Sequence, residues 1–372
     1  MFHFGIEHEV AFFSPDGFFA DYVFPTSYAA FSHMIAQLPL YTTDYPQLLL
    51  GDAGIRVKRW YLEGLERFDK EGHLLTCLSK GIEIRTTIHS TIQGAVDELH
   101  ASFQGLRKVA TSAGFVPVLT SFNPYRTQFV PNPPFNPYEE GLLHLSPEDE
   151  TALLSMLTYG PDLSFSLEGV SDEGLIDLGR KLTYYSPYIV PFTFSSPFYD
   201  GKLWDGLSVR TFLRTGLRPS VLVFLQHPPS LPVSNPSLVK RARIPAEIGR
   251  IEFKACDACE DFTLYTALLA LLKGLALDTT LAGRATTPDP GLHQLSARHG
   301  FAHPMIADGS QTIVSAARRA LVDDPDASLL DPLWKLLQTQ ETLAARLIRV
   351  YHATGSIEAA LYQTYPEPLS GQ

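Results

Sequence analysis

The chain has 372 residues, 45% hydrophobic and 19% charged, with a formal net charge of −11. Such a composition predicts an ordinary soluble globule with a sizeable core, built as one large domain or two smaller ones. The acidic balance excludes a general basic footprint for nucleic acid, so any anionic ligand needs a local cluster of Arg and Lys.

The first strand is expected over Phe4-Gly-Ile-Glu-His-Glu-Val-Ala-Phe12. Phe4, Ile6, Val10 and Phe12 share one side of a period-2 strand, and Gly5, Glu7 and Glu9 the other. His8 is the only polar residue on the apolar side, where a satisfied core histidine is expected. The start, Met1-Phe-His-Phe-Gly5, has no basic region before an apolar run, so no secretory signal is expected. Ser27 to Leu38 reads as a helix and Arg56 to Leu62 as a strand. The second acidic strand is Gly81-Ile-Glu-Ile-Arg-Thr-Thr-Ile88, with Glu83 and Arg85 opposite Ile82 and Ile84. Ser90 then caps a helix to about Ala113, closed by Gly114, and Phe115 to Phe122 returns as a strand.

Residues 123–148, rich in proline, read as loop. Asp162-Leu-Ser-Phe-Ser-Leu-Glu168 is the third alternating strand, and Ser171 caps the helix after it. Gly249-Arg-Ile-Glu-Phe-Lys-Ala-Cys-Asp257 is the fourth. It places Arg250, Glu252, Lys254 and Cys256 on one side, with Arg243 just upstream. Asp261 caps an apolar helix from Phe262 to about Leu281. Its core, Leu268 to Leu277, contains Lys273 and is too short to span a bilayer, so no membrane association is expected. The tail is helical over Thr312–Leu321, Pro332 to about His352, and Ile357–Tyr365. Trp60, Trp204 and Trp334 read as core or pocket wall.

The cysteines are Cys77, Cys256 and Cys259. An odd, small number without framework spacing points to a reducing cytoplasm, and the lone Cys256-Asp-Ala-Cys259 pair reads as two incidental thiols.

Alternating strands with one polar face argue for an antiparallel sheet in an α+β fold. One such strand alone reads as a solvated acidic face, but the pattern occurs four times. Collected, the polar face offers Glu7, Glu9, Glu83, Asp162, Glu168 and Glu252, with Arg85, Arg210, Arg243 and Lys254 among them. Oxygen ligands in this number suit Mg²⁺ or Mn²⁺ better than zinc. Interleaved Arg and Lys suit phosphoryl oxygens. Neither a P-loop nor a G-x-G-x-x-G after a strand occurs, so the pattern reads as metal–nucleotide chemistry without a P-loop.

Gly5-Ile-Glu-His-Glu-Val10 resembles the opening G-[IV]-E-x-E motif of the carboxylate–amine ligases called glutamate–cysteine ligase family 2. Glu83 matches a strand glutamate before a helix. Phe194-Ser-Ser-Pro-Phe-Tyr-Asp-Gly201 is similar to that family's S-[AS]-S-P-[FY] segment, with Arg210 shortly after. Arg243 and Gly249 through Asp257 resemble its R-P…G-[ST]-[IV]-E-[VF]-R-x-x-D block, with Lys254 in place of arginine. The correspondence runs over roughly residues 4–285. Asp162-Leu-Ser-Phe-Ser166 stands where the family shows H-V-H-V-G, so both histidines are replaced. The basic run Lys240-Arg-Ala-Arg243 replaces a tryptophan–aspartate pair.

The resemblance implies a glutamine-synthetase-like catalytic fold, a curved antiparallel sheet with a polar concave active-site face and helices outside. One catalytic domain is expected over 1–372, with the sheet-bearing core at about 1–285 and a helical part at about 305–366. The resemblance further implies an ATP-dependent ligase joining the γ-carboxylate of glutamate to the amine of cysteine through an acyl phosphate. The alternatives are another amine acceptor or a non-catalytic nucleotide- or metabolite-binding homologue. Expected metal ligands are Glu7, Glu9, Glu83 and Glu252, for Mg²⁺ or Mn²⁺. Catalytic roles fall to Glu252, Arg243, Lys254 and Arg210, and ATP contacts to Arg85, Arg250 and Asp162. The expected partners are small-molecule substrates, with homo-oligomerisation left open.

Overall fold

The computed structural model describes residues 1–24, 27–44, 59–145, 151–227 and 234–365. Its strands are β1 (Phe2–Phe13), β2 (Trp60–Phe68), β3 (Leu74–Arg85), β4 (Val116–Val118), β5 (Pro161–Leu167), β6 (Phe198–Tyr199), β7 (Lys202–Leu203), β8 (Val221–Leu225), β9 (Val239–Arg241) and β10 (Arg250–Phe253). One sheet has the order β2-β3-β1-β5-β10-β8-β9, with β4 paired to the far end of β1; β6 and β7 form a separate hairpin. The sheet is curled into a half-barrel. β1 is central because its alternation gives it two uses at once. Phe4, Ile6, His8 and Val10 are buried, while Glu7 and Glu9 on the other face are only partly so.

All pairings in this sheet are antiparallel except β8 with β9, which is parallel. The antiparallel expectation therefore fails at that edge. Gly81 lets β3 approach β1: a Cβ there would lie 2.3 Å from the Val10 carbonyl oxygen, a distance no side chain tolerates.

Helices Ile92–Ser112, Asp172–Ile189 and Thr263–Leu277 pack among the apolar-face core residues. The last is buried nearly all round because Pro304–Ala320 covers its outer side. Thr91, not Ser90, caps Ile92–Ser112, its hydroxyl accepting from the Gly94 N–H at 3.1 Å. Of the strand expected over 115–122, only β4 forms. The strand expected from Arg56 starts at Trp60 among the described residues, and its first positions lie outside them.

The expected loop 123–148 holds a helix, Pro137–Leu143, closed by a capping box between Asn136 and Glu139; residues 146–148 lie outside the described residues. Thr263–Leu277 stops short of Leu281, where Lys181 Nζ donates to the Leu275 carbonyl at 2.8 Å and ends the ladder. The helix expected from Pro332 to His352 is two helices, Asp331–Thr339 and Leu343–Thr354, separated at Gln340, whose φ is 56°. Among the described residues no helix is long and apolar enough to cross a membrane.

Candidate functional site

Strand register brings the polar residues together. On β1, Glu7 faces Arg85 of β3 on one side and Asp162 of β5 on the other, and Glu9 faces Glu83. Glu252 of β10 lies opposite Ser164 of β5. Two carboxylate triads result, Glu7–Asp162–Glu252 and Glu9–Glu63–Glu83, each with its oxygens within 4.8 Å of one another. All-carboxylate sets of this spacing fit a hard divalent cation such as Mg²⁺ or Mn²⁺, and no histidine or thiol contributes.

Each triad has its own cations. Arg250 lies 2.9 Å and Lys254 2.5 Å from Glu252, and Lys254 also pairs with Asp162. Burial tends to raise the Glu252 carboxyl, but Lys254 and Arg250 outweigh it and hold its pKa at about 2. Asp162 is pushed up to about 6 by burial, which Lys254 only partly offsets. In the second triad, Lys80 lies 3.0 Å from Glu9, and Arg85 donates to Glu83 at 2.6 Å while stacking on Tyr61. Burial dominates at Glu83 and pushes it up to about 7; burial also raises Glu63 and Glu7. Each triad therefore contains a carboxyl that burial pushes up, Asp162 in the first and Glu83 in the second, and a bound divalent ion would favour its ionised form.

Above the first triad lies a cavity of about 530 Å³. Its walls carry seven Lys and Arg side chains, Arg85, Arg218, Lys240, Arg241, Arg243, Arg250 and Lys254, against three glutamates, Glu7, Glu247 and Glu252. That is the local cationic cluster an acidic protein needs to hold an anion. Pro219, Leu222, Phe224 and Ile244 give it an apolar wall. Ser164 lies in the lining, and its buried hydroxyl has no partner. The volume suits a nucleotide-sized ligand.

No protein-family model matches the sequence, and no curated protein sequence does. The fold has solved counterparts. A bifunctional glutathione synthetase from Pasteurella multocida superposes at a TM-score of 0.60 and 11% identity over 98% of this chain and 51% of its own. This chain thus spans about half the length of that protein. A glutamate–cysteine ligase from Francisella tularensis, in complex with AMP, matches at 0.56 and 9%, over 98% of this chain and 87% of its own. The ligase PafA, in complex with the prokaryotic ubiquitin-like protein Pup, matches at 0.56 and 12%, over 98% and 74%. The chain shares its fold with these three ligases.

Within this fold, Glu7, Arg85, Arg243, Arg250, Glu252 and Lys254 line the cavity. Glu9, Glu83 and Asp162 stand beside it on the same sheet face but do not line it. Arg210 is elsewhere: its guanidinium donates to the Ala255 and Lys254 carbonyls at 2.9 and 3.0 Å, under the end of β10. It fixes the backbone that carries Lys254.

Asp257 ties two of the quoted motifs together. Its carboxylate accepts from Ser195 N–H at 3.0 Å, Ser196 Oγ at 2.8 Å and Ser208 Oγ at 3.0 Å. His8 is the satisfied core histidine expected. It sits between the hydroxyls of Tyr265 and Tyr365 at 2.8 Å each, and burial takes its pKa down to about 3. The cysteines are free and buried, and burial pushes the Cys256 thiol up to about 12. Sequence reasoning missed Glu63 and Lys80. Their signal was the alternation Tyr61, Glu63 on β2 and the position of Lys80 just before the second acidic strand.

Proposed function

We propose that this chain is an ATP-dependent carboxylate–amine ligase, and more narrowly a glutamate–cysteine ligase. The observation that carries the reading is a cationic, nucleotide-sized cavity lined by Glu7 and Glu252 of one carboxylate triad, with a second triad beside it on the same sheet face. An unactivated carboxylate does not form an amide in water at useful rates. In this reading the substrate carboxylate oxygen attacks the γ-phosphorus of ATP, the bond to the β-phosphate oxygen breaks, and ADP leaves. The amine then attacks the acyl carbon of the acyl phosphate, inorganic phosphate leaves with the C–O bond electrons, and the amine gives up a proton.

Arg85, Arg243 and Arg250 bind and orient the nucleotide phosphates, and Lys254 neutralises charge on the transferred group. Glu7, Asp162 and Glu252 would hold one Mg²⁺ or Mn²⁺, and Glu9, Glu63 and Glu83 a second. The ions supply charge neutralisation at the phosphates. Pro219, Leu222 and Phe224 keep water from one wall. Arg210 positions Lys254 from behind.

A second reading, a ligase with another amine acceptor, is favoured by Ser164 and by the basic edge Lys240–Arg243 on the cavity wall. Both depart from the family pattern. The structural likeness to PafA, whose partner is a protein, supports the same reading. The test is ADP release across pairs of amino-acid carboxylates and amines, with Mg²⁺. Release that depends on both glutamate and cysteine supports the narrow reading. Release with a different amine supports the second. Nucleotide binding without amine-dependent ADP from any pair overturns the ligase and leaves a nucleotide-binding homologue.

A further inference from the structure

Behind β10, Arg210, Arg214 and Arg218 follow one another at four-residue intervals along and beyond the helix Val209–Arg214. Arg210 is accounted for by two carbonyls and by Asp257 at 3.9 Å. Arg214 differs. It is 8% exposed, and no carboxylate, carbonyl or hydroxyl among the described residues accepts from its guanidinium. Burial, with the charges of Arg210 and Arg218, drives its pKa well below the usual arginine range, and the carboxylates of Asp162 and Glu9 offset this only in part. A guanidinium in that state is costly unless an anion joins it.

Arg214 opens on a small cavity whose walls include Thr211, Thr215, Arg218, Ser220 and His293, and no carboxylate. The space is about 10 Å³, room for roughly one water-sized group. Thr211 Oγ1 is buried there without a partner. His293 adds no charge. Its nitrogens meet Ser186 Oγ at 3.1 Å and the Asp289 carbonyl at 2.9 Å, and burial brings its pKa down to about 4. The cavity therefore presents one unpartnered cation and one unpartnered hydroxyl to a space too small for phosphate or sulfate.

We propose that this cavity takes one small anionic atom, a halide or a single oxygen of a carboxylate, held by the Arg214 guanidinium and the Thr211 hydroxyl. Two sources share that chemistry. One is a halide ion; the other is a carboxylate end of a molecule reaching over from the larger cavity, since Arg218 lines both. The proposal does not rest on the ligase reading, and its test needs neither ATP nor turnover.

The test is thermal melting of the whole protein at fixed ionic strength. Sodium bromide or sodium formate replaces sodium gluconate, whose anion cannot enter. A saturable rise of about 3 °C at a hundredfold excess over the dissociation constant is expected. A rise with bromide alone assigns a halide-sized site, and a rise with formate, with or without bromide, assigns a site that takes a carboxylate. No saturable rise with either overturns the proposal. Arg214→Met should abolish the rise, and a rise that persists in that variant also overturns it. Should Arg214→Met fail to fold, Thr211→Val keeps the cation and removes only the hydroxyl. It should weaken the anion about tenfold, and unchanged affinity overturns the assignment.

Discussion

Glu252 is 3% exposed and holds Arg250 and Lys254 at 2.9 and 2.5 Å. The Glu252→Gln variant keeps the side-chain shape and removes the charge. If the residue holds a divalent ion at the phosphates, ADP formation should fall on the order of a thousandfold. The structure adds a cost that a solvated strand face would not carry. Two partly buried cations lose a counter-charge, so stability should fall by about 2 kcal/mol. Turnover beside a thermal melt separates the two effects, and an unchanged rate removes Glu252 from the site.

Glu83 gives the opposite sign with pH. Its folded pKa, about 7, lies above the ordinary 4.5. The stability it contributes is full below about pH 4.5 and is lost as pH rises through 7. Metal-free protein should therefore melt lower at pH 7.5 than at pH 5, Glu83→Gln should flatten that slope, and excess Mg²⁺ should reverse it. Glu7, Glu9, Glu83 and Glu252 were legible at this scale because a period of two fixes which residues share a face. Glu63 was not, because the strand read from the sequence ended at Leu62 and the register shift between Glu63 and Gly64 cuts the alternation short just after it.

Between elements, Asp257 is the joint. It is fully buried and accepts from Ser195, Ser196 and Ser208, so it fixes the segment before β6 and the start of the helix Val209–Arg214. The Asp257→Asn variant removes the negative charge facing Arg210 at 3.9 Å and leaves one amide oxygen where two carboxylate oxygens accept from Ser195, Ser196 and Ser208. About 2–4 kcal/mol of stability should be lost in a denaturant titration; a loss under 0.5 kcal/mol would show the joint to be slack. Gly81→Ala tests the contact of β1 with β3. Its methyl would meet the Val10 carbonyl oxygen at 2.3 Å, so the variant should either fail to accumulate or melt many degrees lower. Elements with a strong local signal were readable, such as the acidic strands and the apolar helix at 263. β8 was not: all five of its residues are buried, so no alternation marks it. The helix Pro137–Leu143 hid among prolines, although Asn136 and Glu139 spell a capping box.

Over the whole molecule, a net charge of −11 surrounds a cavity with seven Lys and Arg against three Glu. The fold creates this inversion by closing distant segments on one sheet face: β1 and β3 from the first quarter of the chain, and β8, β9 and β10 from 221–253. Sequence spacing could show that each segment had a polar side. It could not show that Lys240 and Arg241, on a parallel edge strand, would wall the same space as Arg85.

The arrangement predicts how ATP should bind. The cationic wall attracts the phosphates, whereas Glu7, Glu247 and Glu252 bring carboxylates to the same anion, with the second triad beside them on the sheet. Without a divalent ion, attraction and repulsion oppose each other; an ion held by the triads would neutralise the repulsion. Calorimetric ATP affinity should therefore be at least tenfold weaker in excess chelator than in millimolar Mg²⁺. It should also weaken as salt rises from 50 to 500 mM, because the wall is open to solvent and screened. Equal affinity with and without chelator would mean the nucleotide meets the arginines alone, and the triads would then be ion-paired structure rather than a metal site. Affinity that holds at high salt but depends on Mg²⁺ would move the contact deeper, from the basic edge at 240–243 to Lys254 and Arg250 on the sheet floor.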